Sequence, residues 1–208
     1  FLQSCYHALE DAGLPRDRLT GSRCGVFVGV HAGDYPKLAQ GHYTPHALSG
    51  LSTCVLAARI SYFLDLRGPS MAVDTACSSS LVAVDLACTS LRAGRCELAL
   101  AGGVFTMLTP DMMIASSKAG MLSPRGRISA FDSEADGIVL GEGVGVVVLK
   151  PLSRALADGD PVHGLLLASG TNQDGKTNGI SAPSARSQAT LPRETLAEAK
   201  LAPDDISY

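Results

Sequence analysis

The sequence has no basic excess: 17 lysines and arginines face 20 aspartates and glutamates, for a net charge of -3. A nucleic-acid surface needs the opposite balance, so that class of partner is excluded. No unbroken apolar run reaches the length of a membrane span, and no basic-then-apolar leader opens the chain. The expected location is therefore the cytoplasm. The six cysteines, Cys5, Cys24, Cys54, Cys77, Cys88 and Cys96, include no Cys-x-x-Cys pair and sit mostly inside apolar segments, which argues against a disulfide framework. His42 and His46 stand four residues apart, but Gly41 and Pro45 place them in a loop. No Glu or Cys joins them in a metal-ligand pattern, so no bound metal is expected.

What is present describes a compact domain, or part of a larger one: 208 residues, 46% hydrophobic and 18% charged, with 22 glycines. Phe1, Leu2, Cys5, Leu9 and Ala12 follow one helical face up to Gly13. That face is already running at the first residue, without a cap, which suggests that the natural chain begins earlier. Gly25 to Val30 reads as a strand, and Leu48, Leu51, Val55 and Tyr62 as one helix reaching Leu66. Leu152 to Ala157 reads as a short helix, Val162 to Ser169 as a strand, and Ala185 to Leu201 as a helix kinked or restarted at Pro192. Asp204 to Tyr208 opens a further strand. Strands that are apolar throughout and alternate with helices predict an α/β fold with a mainly parallel sheet covered on both faces.

The segment from Pro69 to Gly103 is the most informative. Pro69 to Asp74 reads as a buried strand, and Ser78, Ser79 and Ser80 supply hydroxyls at a helix start. Leu81, Val84, Cys88 and Leu91 then follow helical spacing to Gly94, before a strand from Glu97 to Ala101. Cys77 stands at the turn. A thiol at the first turn of a helix meets unpaired backbone N–H groups and the positive end of the dipole, which favour the nucleophilic thiolate. A free cysteine in an apolar sequence is also commonly a packing residue, the reading that Cys88 fits. Thr75 and the three serines make the surroundings of Cys77 more polar than a core position accepts. Gly141-Glu142-Gly143-Val144-Gly145 precedes a β-type run, Val146 to Leu149, so the strand-turn-helix context of a dinucleotide site is absent. Its glycines are expected to allow close backbone approach behind the site. His163 has no orienting carboxylate in view and reads as structural.

Val73-Asp74-Thr75-Ala76-Cys77-Ser78-Ser79-Ser80-Leu81 resembles the active-site segment of the β-ketoacyl synthase (ketosynthase) domains of modular type I polyketide synthases and related fatty-acid synthases, in the thiolase superfamily. Ala8 to Gly13, Arg59 to Phe63, Phe131-Asp132 with Ala135-Asp136-Gly137, Gly141 to Gly143 and Asn172 to Gly175 extend the resemblance along the chain. It implies a thiolase-like layered α-β-α-β-α fold, of which residues 1–208 form a partial ketosynthase domain: the N-terminal half with the nucleophile, ending before the family's histidine motifs. The implied reaction is decarboxylative Claisen condensation of an acyl group on Cys77 with a malonyl-type thioester. No bound cofactor is implied, since substrates arrive on the phosphopantetheine arm of an acyl carrier protein. The resemblance further implies that Phe131, in the irregular stretch Ser116 to Gly137, stands near Cys77 and gates its acyl tunnel. Asn172 to Gly175 would shape the same neighbourhood. The implied partners are the carrier protein, an acyltransferase and the other domains of the synthase, and a second copy paired through the strand Ser70 to Asp74. None of the chain's histidines lies in a matching catalytic motif, so only Cys77 is assigned to catalysis and residues 1–208 alone are expected not to condense substrates. A non-condensing ketosynthase, a scaffolding module and a cysteine protease are the alternatives. The last needs a His with an orienting Asn or Asp, and no such set is evident.

Overall fold

The computed structural model describes residues 1–39, 41 and 44–207. Its elements in chain order are α1 (Leu2–Asp11), α2 (Arg16–Leu19), β1 (Cys24–Val30), α3 (Tyr35–Ala39), α4 (Ala47–Leu51), α5 (Cys54–Leu64) and β2 (Ser70–Val73). They continue as α6 (Ser79–Arg92), β3 (Leu98–Phe105), α7 (Asp111–Lys118), β4 (Gly143–Leu149), α8 (Leu152–Asp158), α9 (Ala185–Ala199) and a 3-10 turn, Pro203–Asp205. His42 lies outside the described residues.

One sheet organises these elements, with strand order β2-β1-β3-β4. β1 runs parallel to both β2 and β3, and β4 returns antiparallel to β3. Because side chains alternate across a strand, Val26 and Val28 of β1 and Leu98 and Leu100 of β3 face α1 and α5. Phe27, Ala99 and Ala101 face α6 on the other side. At β1 and the first part of β3 the sheet is covered on both faces, which needs apolar residues at every position and is why these strands do not alternate in polarity. β2, expected as a buried strand, lies at the sheet edge with Ser70 and Met71 exposed.

Two helical faces differ from the sequence expectation. The stretch expected as one helix from Leu48 to Leu66 divides at Ser52-Thr53. Ser52 leaves the helix with ψ 121°, and its hydroxyl donates to the carbonyl of Leu48 at 2.8 Å, satisfying a group freed by the break. The buried face of α5 is Ala57, Ile60 and Leu64, whereas Leu48 is 82% and Tyr62 89% exposed. In α6 the buried face carries Ala83, Ala87 and Cys88, while Leu81 is 74% exposed. Small side chains bring the α6 backbone against the sheet, so the larger leucine that dominates the sequence pattern is not the one buried.

Val162 to Ser169 forms no strand. No described strand lies beside it to satisfy its backbone groups, and Leu165, Leu166 and Leu167 are each more than half exposed. Its end is fastened to α6, where Ser169 Oγ donates to Asp85 Oδ1 at 2.7 Å. α9 runs through Pro192 without interruption, its N-cap Ser184 accepting from the Ser187 N–H, but none of its residues is buried. Ile206 and Ser207 form no strand, and Tyr208 lies outside the described residues. The accessible surface is 13,919 Å², about half as much again as the roughly 9,200 Å² that a compact monomer of this mass exposes. Exposed apolar side chains at Leu81 of α6, at Leu165, Leu166 and Leu167 and at Ile180 account for part of the difference.

Candidate active site

β2 ends at Val73 and α6 begins at Ser79, so five residues reverse the chain with Cys77 among them. Ala76, the residue before the thiol, has φ 55°, in the left-handed region. For a residue with a Cβ this conformation costs about 1–2 kcal/mol. Hydrogen bonds hold it. The N–H of Ala76 donates to Asp74 Oδ1 at 3.1 Å, and the N–H of Thr75 donates to Ser79 Oγ at 2.8 Å. The Ser79 hydroxyl donates in turn to the carbonyl of Ala76 at 2.6 Å, and that of Ser78 to the carbonyl of Thr75 at 2.8 Å. None of these bonds uses the N–H of Cys77, and the thiol is exposed.

Ser78 is the N-cap of α6, so Cys77 lies just ahead of the first turn rather than within it, one residue earlier than expected. The serine hydroxyls accordingly tie the turn together and do not cap the helix. What seats the helix is a pair of glycines. Gly29 of β1 and Gly103 of β3 are register partners. A Cβ on Gly29 would lie 2.4 Å from Ser80 N, and one on Gly103 would lie 2.7 Å from Ser80 Cβ. The start of α6 therefore rests on bare backbone, and any side chain beneath it would push the turn outward.

The remaining sequence candidates fall in several places. Phe131 is fully exposed (110%), with φ 61°. It sits in a stretch whose base is tied by the bridge of Leu122 to Ile138. Asp136 reinforces that base, accepting from Arg125 Nε and from Ser123 Oγ, each at 2.7 Å. These two donors, Arg125 foremost, hold the Asp136 carboxyl below its ordinary range. Asn172 to Gly175 is tied to the start of α9: Asn172 Nδ2 donates to the Ser187 carbonyl at 2.8 Å, and Asp174 accepts from the N–H of Ser184. The expectation for Gly141, Gly143 and Gly145 is corrected, because a Cβ on any of them would meet open space. The close approach lies at Gly102, where an added Cβ would come within 2.0 Å of the Gly145 carbonyl oxygen. Glu142 instead fastens the loop after β3, accepting from the N–H of Met107.

His163 does have a carboxylate partner, Asp11 at 2.9 Å, but both groups are largely exposed and Asp11 belongs to α1, on the far side of the sheet from α6. His31 is the histidine that the sequence pattern left without a role. Its Nδ1 lies 3.2 Å from Asp74 Oδ2. The N–H of Ala76 foremost, and then His31, hold the Asp74 carboxyl below its ordinary range. The signal was present in the topology: Gly29 pairs with Val73, so the segments leaving β1 and β2 emerge side by side. His31 also lines a cavity of about 350 Å³, together with Leu51, Leu56, Arg59 and Phe105. Among the described residues no three His, Cys, Asp or Glu side chains group as a metal site requires.

A model of the β-ketoacyl synthase N-terminal domain matches residues 1–155, and one of the C-terminal domain matches residues 163–208. The chain belongs to the β-ketoacyl synthase family. The chain is 47% identical over its whole length to polyketide synthase PksM of Bacillus subtilis, of which it spans 5%. It is 49% identical to a phenolphthiocerol/phthiocerol polyketide synthase of Mycobacterium tuberculosis, of which it spans 14%. The ketosynthase from module 6 of the bacillaene synthase of Bacillus subtilis superposes with a TM-score of 0.93 at 47% identity, covering all of this chain and 36% of that one. The oxazolomycin ketosynthase domain of Streptomyces albus gives the same TM-score at 43% identity, over 38% of its length. The fold is thus the thiolase-like fold of ketosynthases, of which the described residues hold one sheet and its two helical faces.

Four of the six thiols, Cys5, Cys24, Cys88 and Cys96, are buried. Burial pushes the Cys5 and Cys24 thiols up to about 12, and raises that of Cys88. Cys54, at the start of α5, is exposed like Cys77; it too stands at a helix N-terminus, so that position is not peculiar to Cys77. It lacks the clamped turn. Limited alkylation with iodoacetamide under native conditions is expected to label Cys77 first, Cys54 more slowly and the buried four last. Faster labelling of Cys54 would deny the turn any part in reactivity.

Proposed function

We propose that this chain is the nucleophile-bearing part of a condensing ketosynthase in a polyketide synthase. The observation that carries the reading is the clamped turn at Cys77, seated on the Gly29–Gly103 pair. The Cys77 thiolate attacks the carbonyl of an acyl thioester, the carrier's phosphopantetheine thiolate leaves and takes up a proton, and an acyl-enzyme remains. Thioester exchange is close to thermoneutral, so the step needs positioning more than driving force. The N–H of Cys77, outside the turn's own hydrogen bonds, is the first donor to the oxyanion. A malonyl-type thioester then loses carbon dioxide, and its enolate carbon attacks the acyl carbonyl and expels Cys77.

Stabilising that enolate is assigned to groups other than the histidines described here, since none of them lies in a matching catalytic motif. Phe131 is assigned to gate the acyl chain on the strength of the family resemblance of its Phe-Asp segment. The apolar surface left open at Leu81 of α6 and at Leu165, Leu166 and Leu167 is where the remainder of a ketosynthase domain packs. Residues 1–208 by themselves are therefore inactive in condensation. The acyl carrier protein, an acyltransferase and the other synthase domains are its partners, and the cytoplasm its location. No described helix is long and apolar enough to cross a membrane.

The test is to incubate the intact ketosynthase domain that carries these residues with acyl and malonyl carrier-protein thioesters. Release of carbon dioxide with formation of the β-ketoacyl product is expected. Acylation of Cys77 without carbon dioxide release would assign the domain to acyl relay instead.

β2 is an edge strand, and its unpaired side offers backbone donors and acceptors to a second copy across a two-fold axis. The intact domain is expected to sediment as a homodimer at micromolar concentration. A monomer there would refute pairing through β2.

A further inference from the structure

Asp74 connects the residue before the nucleophile to a different strand. Its Oδ1 accepts from the N–H of Ala76 at 3.1 Å, and its Oδ2 lies 3.2 Å from Nδ1 of His31, in the segment leaving β1. Neither side chain has another partner among the described residues. The amide that Asp74 holds belongs to the strained residue itself, with φ 55°. Without that acceptor, Ala76 has one restraint fewer against returning to negative φ, and Cys77 would turn with it.

We infer that His31 is a positioning residue for Cys77: by fixing Asp74 Oδ2 it keeps Oδ1 aimed at the Ala76 N–H and so holds the thiol in its attacking orientation. The inference rests on the reading of Cys77 as the nucleophile. His31 and Asp74 are each nearly half exposed, 44% and 48% at the side chain, and a pair so hydrated adds little to overall stability. Losing it changes reactivity and leaves unfolding nearly untouched. That separates a positioning role from a merely structural one.

The experiment uses the intact ketosynthase domain and three variants: His31→Ala, His31→Asn and the double variant His31→Ala with Ala76→Gly. The readouts are the rate of Cys77 alkylation by iodoacetamide, followed by peptide mass mapping, kcat and KM for acyl transfer from an acyl-pantetheine thioester, and the thermal midpoint. His31→Ala is expected to lower the alkylation rate and kcat by about 5- to 10-fold with KM and midpoint unchanged, the penalty of a small misplacement of the reacting atom. His31→Asn, whose amide can donate from near the position of Nδ1, should stay within about twofold of the wild type. Ala76→Gly should restore the alanine variant, because glycine holds positive φ without help.

Wild-type rates in His31→Ala would overturn the inference. So would an asparagine variant as slow as the alanine one, or a slow double variant. If Cys77 in the unaltered domain is not the reactive thiol, the nucleophile assignment falls and the inference with it. If Cys77 is reactive and indifferent to His31, only the inference falls.

Discussion

Replacing Gly29 by alanine is expected to lower the rate of Cys77 acylation by about 100-fold and to destabilise the intact domain by about 3 kcal/mol. The new Cβ would lie 2.4 Å from Ser80 N, 2.5 Å from the Ser79 carbonyl carbon and 2.6 Å from Ser80 Cα. All three are backbone atoms, so no rotamer change relieves the overlap. The start of α6 must move outward by about 1 Å to restore ordinary contact, and the hydrogen bonds that Ser79 makes across the turn move with it. Gly103→Ala meets Ser80 Cβ at 2.7 Å and should have a smaller effect of the same kind. Gly145→Ala, in a strand of the same sheet, meets nothing within 4 Å and should be close to neutral. Acylation rates and denaturant midpoints for the three variants check that order. Equal effects at Gly29 and Gly145 would mean that the glycine pair does not seat the turn.

The sequence made the strand-turn-helix around Cys77 legible because three local signals agreed there: an apolar run, a cluster of hydroxyls and a helical period ending at glycine. The covered sheet was legible for a similar reason, since β1 and β3 are apolar at every position. Helical faces were less so. Ala57, Ala83 and Ala87 are buried because close packing selects small residues, whereas a pattern read by hydrophobic size favours Leu48, Tyr62 and Leu81. The roles of the glycines are not legible without tertiary information. Gly141, Gly143 and Gly145 are conspicuous as a motif yet border open space, while Gly29, Gly102 and Gly103 look like ordinary strand glycines and lie under backbone atoms. His31 was illegible without the register of β1 on β2, since 43 residues separate it from Asp74. The strand expected at Val162 to Ser169 has the right composition, but a strand needs a neighbour, and that is a property of the sheet rather than of the segment.

The assignment of Cys77 as the acyl-accepting nucleophile is the claim on which the rest depends, and its loss has the largest expected effect. Cys77→Ala removes the only thiol at the turn, and the neighbouring hydroxyls of Ser78 and Ser79 are engaged with backbone carbonyls, so covalent loading should vanish rather than decline, while the small, exposed change leaves the fold intact. The intact ketosynthase domain should be incubated with an acyl-pantetheine thioester, its mass measured and the adduct mapped by peptide. The account predicts a single acyl adduct on Cys77 in the wild type and none in Cys77→Ala, with both proteins unfolding at the same temperature. An adduct that persists in Cys77→Ala, or that maps to Cys54 in the wild type, would contradict it.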